Sequence, residues 1–314
     1  MRPQVFVIVV SLAAIEPATA GGLLDKVQDN IKGLVAKDLD ARTGARDIIK
    51  QQYELSPVPE QTAVTDALLQ KVQSSPNSDD RAGAAIALSK LTSPWVASDH
   101  DNKLKALYQT YLDTQDPSLR RSIDDALSNA KGLYLDAIND FNSDNVANPA
   151  GTAAKFQRMP DNFPKSRYAA SSAYYLGQYW TRVGFIRSNF ADNIPKSDTA
   201  FTSFIQRSNN GDFASQNFLT DAYFFKALNR ILVGKENETL AQLADMKGGL
   251  GTRNPNIYVY QLFYKTRDKT TEVDRYIPAQ TLIEATVKFI QANPGRLPEA
   301  QSELAKQLQS LTKS

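Results

Sequence analysis

The sequence predicts an all-α protein, a solenoid of helical hairpins. Three observations predict it. Asp38, Asn77 and Asp116 open closely similar patterns at a constant interval of 39 residues. Apolar residues recur at the spacing of one helix face through most of the chain beyond residue 20, and no alternating run suggests a half-buried sheet. Turn residues such as Gly184, Gly234 and Pro294-Gly295 close successive amphipathic stretches.

The first element is not part of the fold. Met1-Arg2-Pro3 is followed by a near-continuous apolar run from Val5 to Ile15 and then by Ala18-Thr19-Ala20. A basic start, a short apolar stretch and a small-x-small end are the parts of a cleavable secretory signal, expected here over residues 1–20 with the cut after Ala20. The run is well short of the ~20 residues that span a bilayer, and no later segment reaches that length. The mature protein is therefore expected to be periplasmic or secreted and not membrane-spanning. The chain has no cysteine, which excludes disulfides, thiolate metal sites and cysteine nucleophiles. Lys plus Arg number 36 against 34 for Asp plus Glu, a net charge of +2 that gives no reason to expect nucleic acid as a partner.

Residues 21–141 are expected to form the first helical domain. Its unit is a helix pair: amphipathic stretches Leu23–Ala36, Thr62–Val72 and Leu104–Leu112 each precede one copy of the pattern. In each copy Asp38, Asn77 or Asp116 can cap a helix by accepting from a free backbone N–H. Pro117 sits at a first helical position, which tolerates it. Arg42, Arg81 and Arg120 follow in the first turn. The positions three, six and seven beyond the Arg share one face and are apolar in all copies: Ala45, Ile48, Ile49; Ala84, Ala87, Leu88; Ile123, Ala126, Leu127. Pairs of this length whose second helix starts Asp-to-Arg resemble HEAT-like repeats. The resemblance implies that Asp38, Arg42, Arg81, Asp116 and Arg120 link neighbouring repeats.

Residues 142–165 change in texture. Asn142-Ser-Asp-Asn-Val-Ala-Asn-Pro-Ala-Gly151, then Pro160 and Pro164, predict a connector between two helical domains.

The second domain, residues 166–314, opens with Phe163-Pro164-Lys165-Ser166-Arg167-Tyr168-Ala169-Ala170 running on through Tyr174, Tyr175, Leu176 and Gly177. Its helices are expected around Gly177 and Trp180, around Ala200 and Phe204 after a looped-out insertion near Arg187–Lys196, and around Asp221–Ala227. Thr239 and Leu243, then Ile257–Thr266 and Ala279–Ala292, and finally a capping helix Pro298–Leu311 complete the array. The lead Pro-x-Ser-x-Tyr-Ala with Leu176, Gly177, Trp180 and Gly184 resembles the tetratricopeptide-type repeats of bacterial envelope proteins. In that family the small residue lets paired helices approach closely and the large ones fill the gap.

Several strings imitate chemistry. His100, the single histidine, stands at a helix start in Ser98-Asp99-His100-Asp101 with no nucleophile elbow nearby. Ser128-Asn129-Ala130-Lys131, Ser143-Asp144-Asn145 and Lys269-Thr270-Thr271 mimic penicillin-binding motifs but lack their spacing. Asp140-x-Asn142-x-Asp144 begins like a calcium loop yet has Asn145 and Gly151 where that loop needs Gly and a bidentate Glu. No catalytic residue, metal ligand or cofactor site is expected.

The aromatics are the more informative group. If Gly177 and Ala227 mark equivalent small positions, a concave groove is expected to present Tyr174, Gln178 and Arg182 from one helix and Asp221, Phe224, Leu228 and Ile231 from the next. An apolar floor with a polar rim suits a peptide or partner helix. The expected function is that of a non-enzymatic protein-interaction scaffold or adaptor whose partner, by the resemblance, belongs to the cell envelope. A polysaccharide- or peptidoglycan-binding module, or the non-catalytic arm of a cell-wall enzyme, is the alternative, since the same aromatics could stack on a glycan.

Overall fold

The computed structural model describes residues 20–91, 100–143, 146–187, 189–209, 216–250, 252, 254–258, 276–296 and 301–311. The expected signal, residues 1–19, lies outside them. Apart from two strands of three residues each, the elements of the described chain are helical, and within each unit many helices adjacent in sequence pack on one another, as in a helical-repeat solenoid. Among the described residues no helix is long and apolar enough to cross a membrane. The chain forms two compact units, Met1–Ala126 and Leu127–Ser314.

The first unit contains α1 (Ala20–Ile31), a 3-10 segment (Lys32–Val35), α2 (Leu39–Leu55), α3 (Val58–Ser74), α4 (Ser78–Lys90), α5 (His100–Asp113) and most of α6 (Pro117–Asn129). The expected caps form. Asp38 accepts from the N–H of Ala41, and Asn77 and Asp116 accept from the N–H two residues on, each at 2.8 Å. Beyond the caps, Ala45, Ile49, Ala84, Ala87, Leu88, Ile123, Ala126 and Leu127 are buried as their common face requires, whereas Ile48 is exposed. Leu23, Val27 and Ile31 of α1 and Val64, Leu68 and Val72 of α3 supply the facing stripes, each at intervals of one helical turn.

The arginines act differently from the expectation. Arg42 donates to the carbonyls of Ala36 and Lys37 at 2.7 and 2.9 Å, and Arg81 donates from Nε to the carbonyl of Val72 at 2.8 Å. Arg120 lies over the Tyr111 ring, 4.9 Å from its centroid. Each reaches back to the segment before its own helix. Carbonyls at the end of a helix lack intrahelical donors, and a guanidinium one turn into the following helix is in reach of them. Arg81→Ala should therefore lower the stability of this unit by about 1–2 kcal/mol, the scale of a charge-assisted bond to a half-buried carbonyl. Urea denaturation measures it, and an unchanged midpoint would remove the role.

The second unit holds a 3-10 turn (Ala130–Gly132), α7 (Leu135–Asn142), α8 (Pro149–Asn162), α9 (Arg167–Arg187), α10 (Phe190–Asn209), α11 (Gln216–Leu232), α12 (Glu236–Leu250), β1 (Asn256–Tyr258), β2 (Tyr276–Pro278), α13 (Ala279–Ala292) and α14 (Gln301–Ser310). The strands pair antiparallel with Ile257 opposite Ile277.

Four expectations are corrected here. Residues 142–165 are not a bare connector, because α8 occupies Pro149–Asn162 and buries Phe156 and Met159. Asn148 caps it by accepting from Gly151 N at 3.0 Å, Pro149 takes the position where no N–H is needed, and Pro160 falls in the last turn. The turn-like composition was that of a helix start. Gly184 does not end a helix, since α9 continues to Arg187, and no long insertion precedes α10, which begins at Phe190. Ile257 belongs to β1 rather than to a helix; the rest of the helix expected over Ile257–Thr266 lies outside the described residues. The expected final helix is present at Gln301–Ser310; Pro298 lies outside the described residues.

Around α9 the packing is tight. Ala169, Ala170, Ala173 and Gly177 carry little side chain. A Cβ on Gly177 would lie 2.7 Å from the Phe201 ring of α10, so α9 and α10 meet at van der Waals contact there, as the small position in the sequence implies.

Candidate functional site

All seven residues expected to line the groove are interior. Tyr174, Gln178, Arg182, Asp221, Phe224, Leu228 and Ile231 are each no more than 3 % exposed. The α9 residues are covered because α9 has partners on several sides: α8, α10, α7 and α11 all pack against it. Some of their polar atoms find internal partners. Arg182 donates to the Phe141 carbonyl at 2.7 Å, with its guanidinium 4.0 Å from the Phe141 ring centroid. Phe224, Leu228 and Ile231 form the most apolar stripe of α11, and that stripe turns into the core, which also contains Phe201, Phe225, Leu243 and Ile283.

Beside this core a buried polar cluster joins three helices. The hydroxyls of Thr181 of α9 and Ser197 of α10 lie 2.8 Å apart, and Asn229 of α11 donates to Ser197 at 2.9 Å and accepts from Thr181 at 3.1 Å. Ser197 also donates to the Gly177 carbonyl at 2.7 Å. Bonds made through a core have geometry to satisfy, so this cluster selects one register of α9, α10 and α11.

A groove does exist, on another face of α11. Leu219, Tyr223, Lys226 and Arg230 recur at the spacing of one helix face, and Glu238, Gln242, Asp245 and Met246 do the same on α12. Between these faces, with Asn254 and Pro255 beyond the end of α12, lies a cavity of about 990 Å³. Its floor is apolar: Leu219, Met246 and Leu250 are half-buried and rest on the core, and half-buried Tyr223 stands among them.

The rim is charged with both signs, and part of it is pinned. Arg230 donates to Gln242 Oε1 at 2.6 Å and lies 3.7 Å from the Glu238 carboxylate. Gln242 donates in turn to the Tyr223 carbonyl at 2.8 Å. Lys226 donates to Thr202 Oγ1 at 2.6 Å, with Asp198 at 3.7 Å. These bonds hold long side chains in place, so the rim is ordered before any guest arrives. The groove contains no histidine, serine or cysteine among its described lining residues. Such a surface can cover apolar side chains and match polar ones.

Tyr223, Lys226, Arg230, Gln242 and Asp245 escape a reading of the sequence because a mixed-charge stripe resembles any solvated helix face. The one available signal was pairing: basic Lys226 and Arg230 on one helix face, acidic Glu238 and Asp245 on a face of the next. Asp140 of the calcium-like string accepts from Thr152 at 3.0 Å and pairs with Lys155 at 2.8 Å. His100 is the first residue of α5. No protein-family model, no curated protein and no solved structure matches this chain.

Proposed function

We propose that this chain is an exported, non-enzymatic binding protein of helical-repeat type, whose α11–α12 groove takes up a segment of a protein partner in the cell envelope. The observation that carries the reading is the groove itself: an apolar floor beside the core, an ordered rim of both charges, and room for several side chains of a guest. The Pro-x-Ser-x-Tyr-Ala lead and the close approach at Gly177 support a tetratricopeptide-like ancestry for the second unit, and the three caps support a HEAT-like ancestry for the first. The N-terminal basic, apolar and small-x-small sequence supports export to the periplasm or medium. A glycan partner is less well supported, because Tyr174 and Tyr179, which would stack on sugar rings, are interior.

The test is site-specific crosslinking in intact cells. A photoreactive residue at Tyr223 or Met246 should capture one and the same protein, and one at exposed Val233, outside the groove, should not. Ala241→Arg then fills the groove from an exposed position. It should leave thermal unfolding unchanged while weakening that partner at least about tenfold, the scale of a central interface contact. Equal capture at all three sites, or a partner indifferent to Ala241→Arg, would sink the proposal.

A further inference from the structure

The groove-lining face of α11 has a counterpart on the side of the helix that faces α9. Asp221 enters the interior there, 3 % exposed. Its Oδ2 accepts from the Tyr174 hydroxyl at 2.8 Å, and that hydroxyl accepts in turn from the Gln178 amide. The other oxygen, Oδ1, is buried without a partner, and so is Oε1 of Gln178. A buried carboxylate requires several donors or a cation, and this one has a single hydroxyl.

No described cation faces it. On α9, Arg182 is turned to Phe141, Arg187 to the Val146 carbonyl and Arg167 to the Tyr168 ring, which leaves Tyr174 as the facing titratable group. On α10, Lys196 lies over Trp180, Arg207 reaches the Pro164 carbonyl, Asp192 pairs with Asn189 and Asp198 pairs with Lys226. On α12, Lys247 is paired with Glu284, Glu238 with Arg230 and Lys235, Glu236 caps Gly295, and Asp245 lines the groove. From β1 comes buried, apolar Ile257. Lys226 and Arg230 of α11 itself are in the groove.

We propose that Asp221 makes the seating of α11 on α9 proton-linked: the neutral acid is compatible with the closed core, whereas the carboxylate draws α11 toward water and loosens one wall of the groove. A neutral carboxyl has its own O–H to donate and leaves fewer unmet acceptors than the anion. Burial raises the carboxyl to about 7, against the opposing effect of the Tyr174 hydrogen bond. The ordinary value is 3.8. Below it both folded and unfolded chains hold the proton. Between it and about 7 the unfolded chain releases the proton while the folded chain keeps it, so stability falls as pH rises. Above that range both are ionised and the loss is complete.

The consequence for binding rests on the groove reading, but the test of the proton linkage needs no partner. Amide exchange of α11 in the full chain, corrected for intrinsic rates, should show protection falling by up to about tenfold per pH unit between about pH 5 and about pH 7. In Asp221→Asn, which keeps an oxygen for Tyr174 but cannot ionise, that slope should vanish, and protection above about pH 7 should exceed that of the parent. An unchanged slope in Asp221→Asn overturns the proposal. Should that variant fail to fold, Tyr174→Phe serves instead: loss of its hydrogen bond should move the midpoint of the slope upward, and an unmoved midpoint is equally fatal. The infrared band of a protonated buried carboxyl, present in the parent at about pH 6, should be missing from Asp221→Asn. Its absence from the parent would also overturn the proposal. Failure to find a groove partner would leave each of these results standing.

Discussion

Phe224→Ala is expected to destabilise the second unit by about 3–5 kcal/mol, the cost of emptying a fully buried aromatic site. Phe224 has no exposed surface and packs with Phe225, ring centroids 6.1 Å apart, inside a cluster that gathers residues from α9 to α14. Its neighbour Tyr223 provides the contrast. Half-buried and lining the groove, it should cost about 1 kcal/mol or less on replacement by Ala, with its main effect on partner binding. Adjacent residues on one helix are therefore expected to give opposite outcomes, stability for Phe224 and binding for Tyr223. Chemical denaturation of both variants decides it. A stable Phe224→Ala with weakened binding would mean that α11 is turned about its axis relative to the structure.

The second large effect concerns Gly177. In a solvated helix Gly→Ala is stabilising by roughly 1 kcal/mol, because alanine restricts the unfolded chain and favours helix. At Gly177 the sign should reverse, with a net loss of about 1–3 kcal/mol. A new Cβ would meet Cδ1 of Phe201 at 2.7 Å. That ring has little room to withdraw, lying 6.1 Å from Tyr174 and 5.7 Å from Phe225 between centroids. Separation of α9 from α10 would also pull the Gly177 carbonyl away from Ser197 and disturb the cluster with Thr181 and Asn229. Gly44 of α2, with open space around its Cα, is the control and should gain stability on the same change. Equal gains at both positions would show that α9 and α10 do not meet at Gly177.

Local chemistry was legible in this sequence wherever it acts over one helical turn. The all-α class, the caps at Asp38, Asn77 and Asp116, the apolar face that follows each Arg and the small position at Gly177 all follow from spacing, because a helix repeats every 3.6 residues whatever surrounds it. Local chemistry also misled at residues 142–165: Asn148, Pro149 and Gly151 can open a turn or a helix, and the buried Phe156 and Met159 decide for a helix only when a core is there to receive them. The interval of 39 residues in the first unit likewise holds because each repeat uses the same cap and the same buried face.

Which face of a helix meets water is a different kind of question, and only tertiary structure answered it. Along α11, positions 223 and 224 are a single step of about 100° apart, so assigning the groove to Phe224, Leu228 and Ile231 instead of Tyr223, Lys226 and Arg230 is a small rotation. Periodicity identifies stripes without saying how many neighbours a helix has. With packing partners on several sides, α9 buries even Gln178 and Arg182, and α11, flanked by α9, α10 and α12, gives its most apolar stripe to the core and its mixed-charge stripe to the groove. The unmet oxygen of Asp221 arises in the same way. Sequence determined that an acid stands on that helix; the closing of α9 over it decided that the acid would sit in the dark interior with one hydroxyl for company, because burial depends on contacts among helices far apart in the chain.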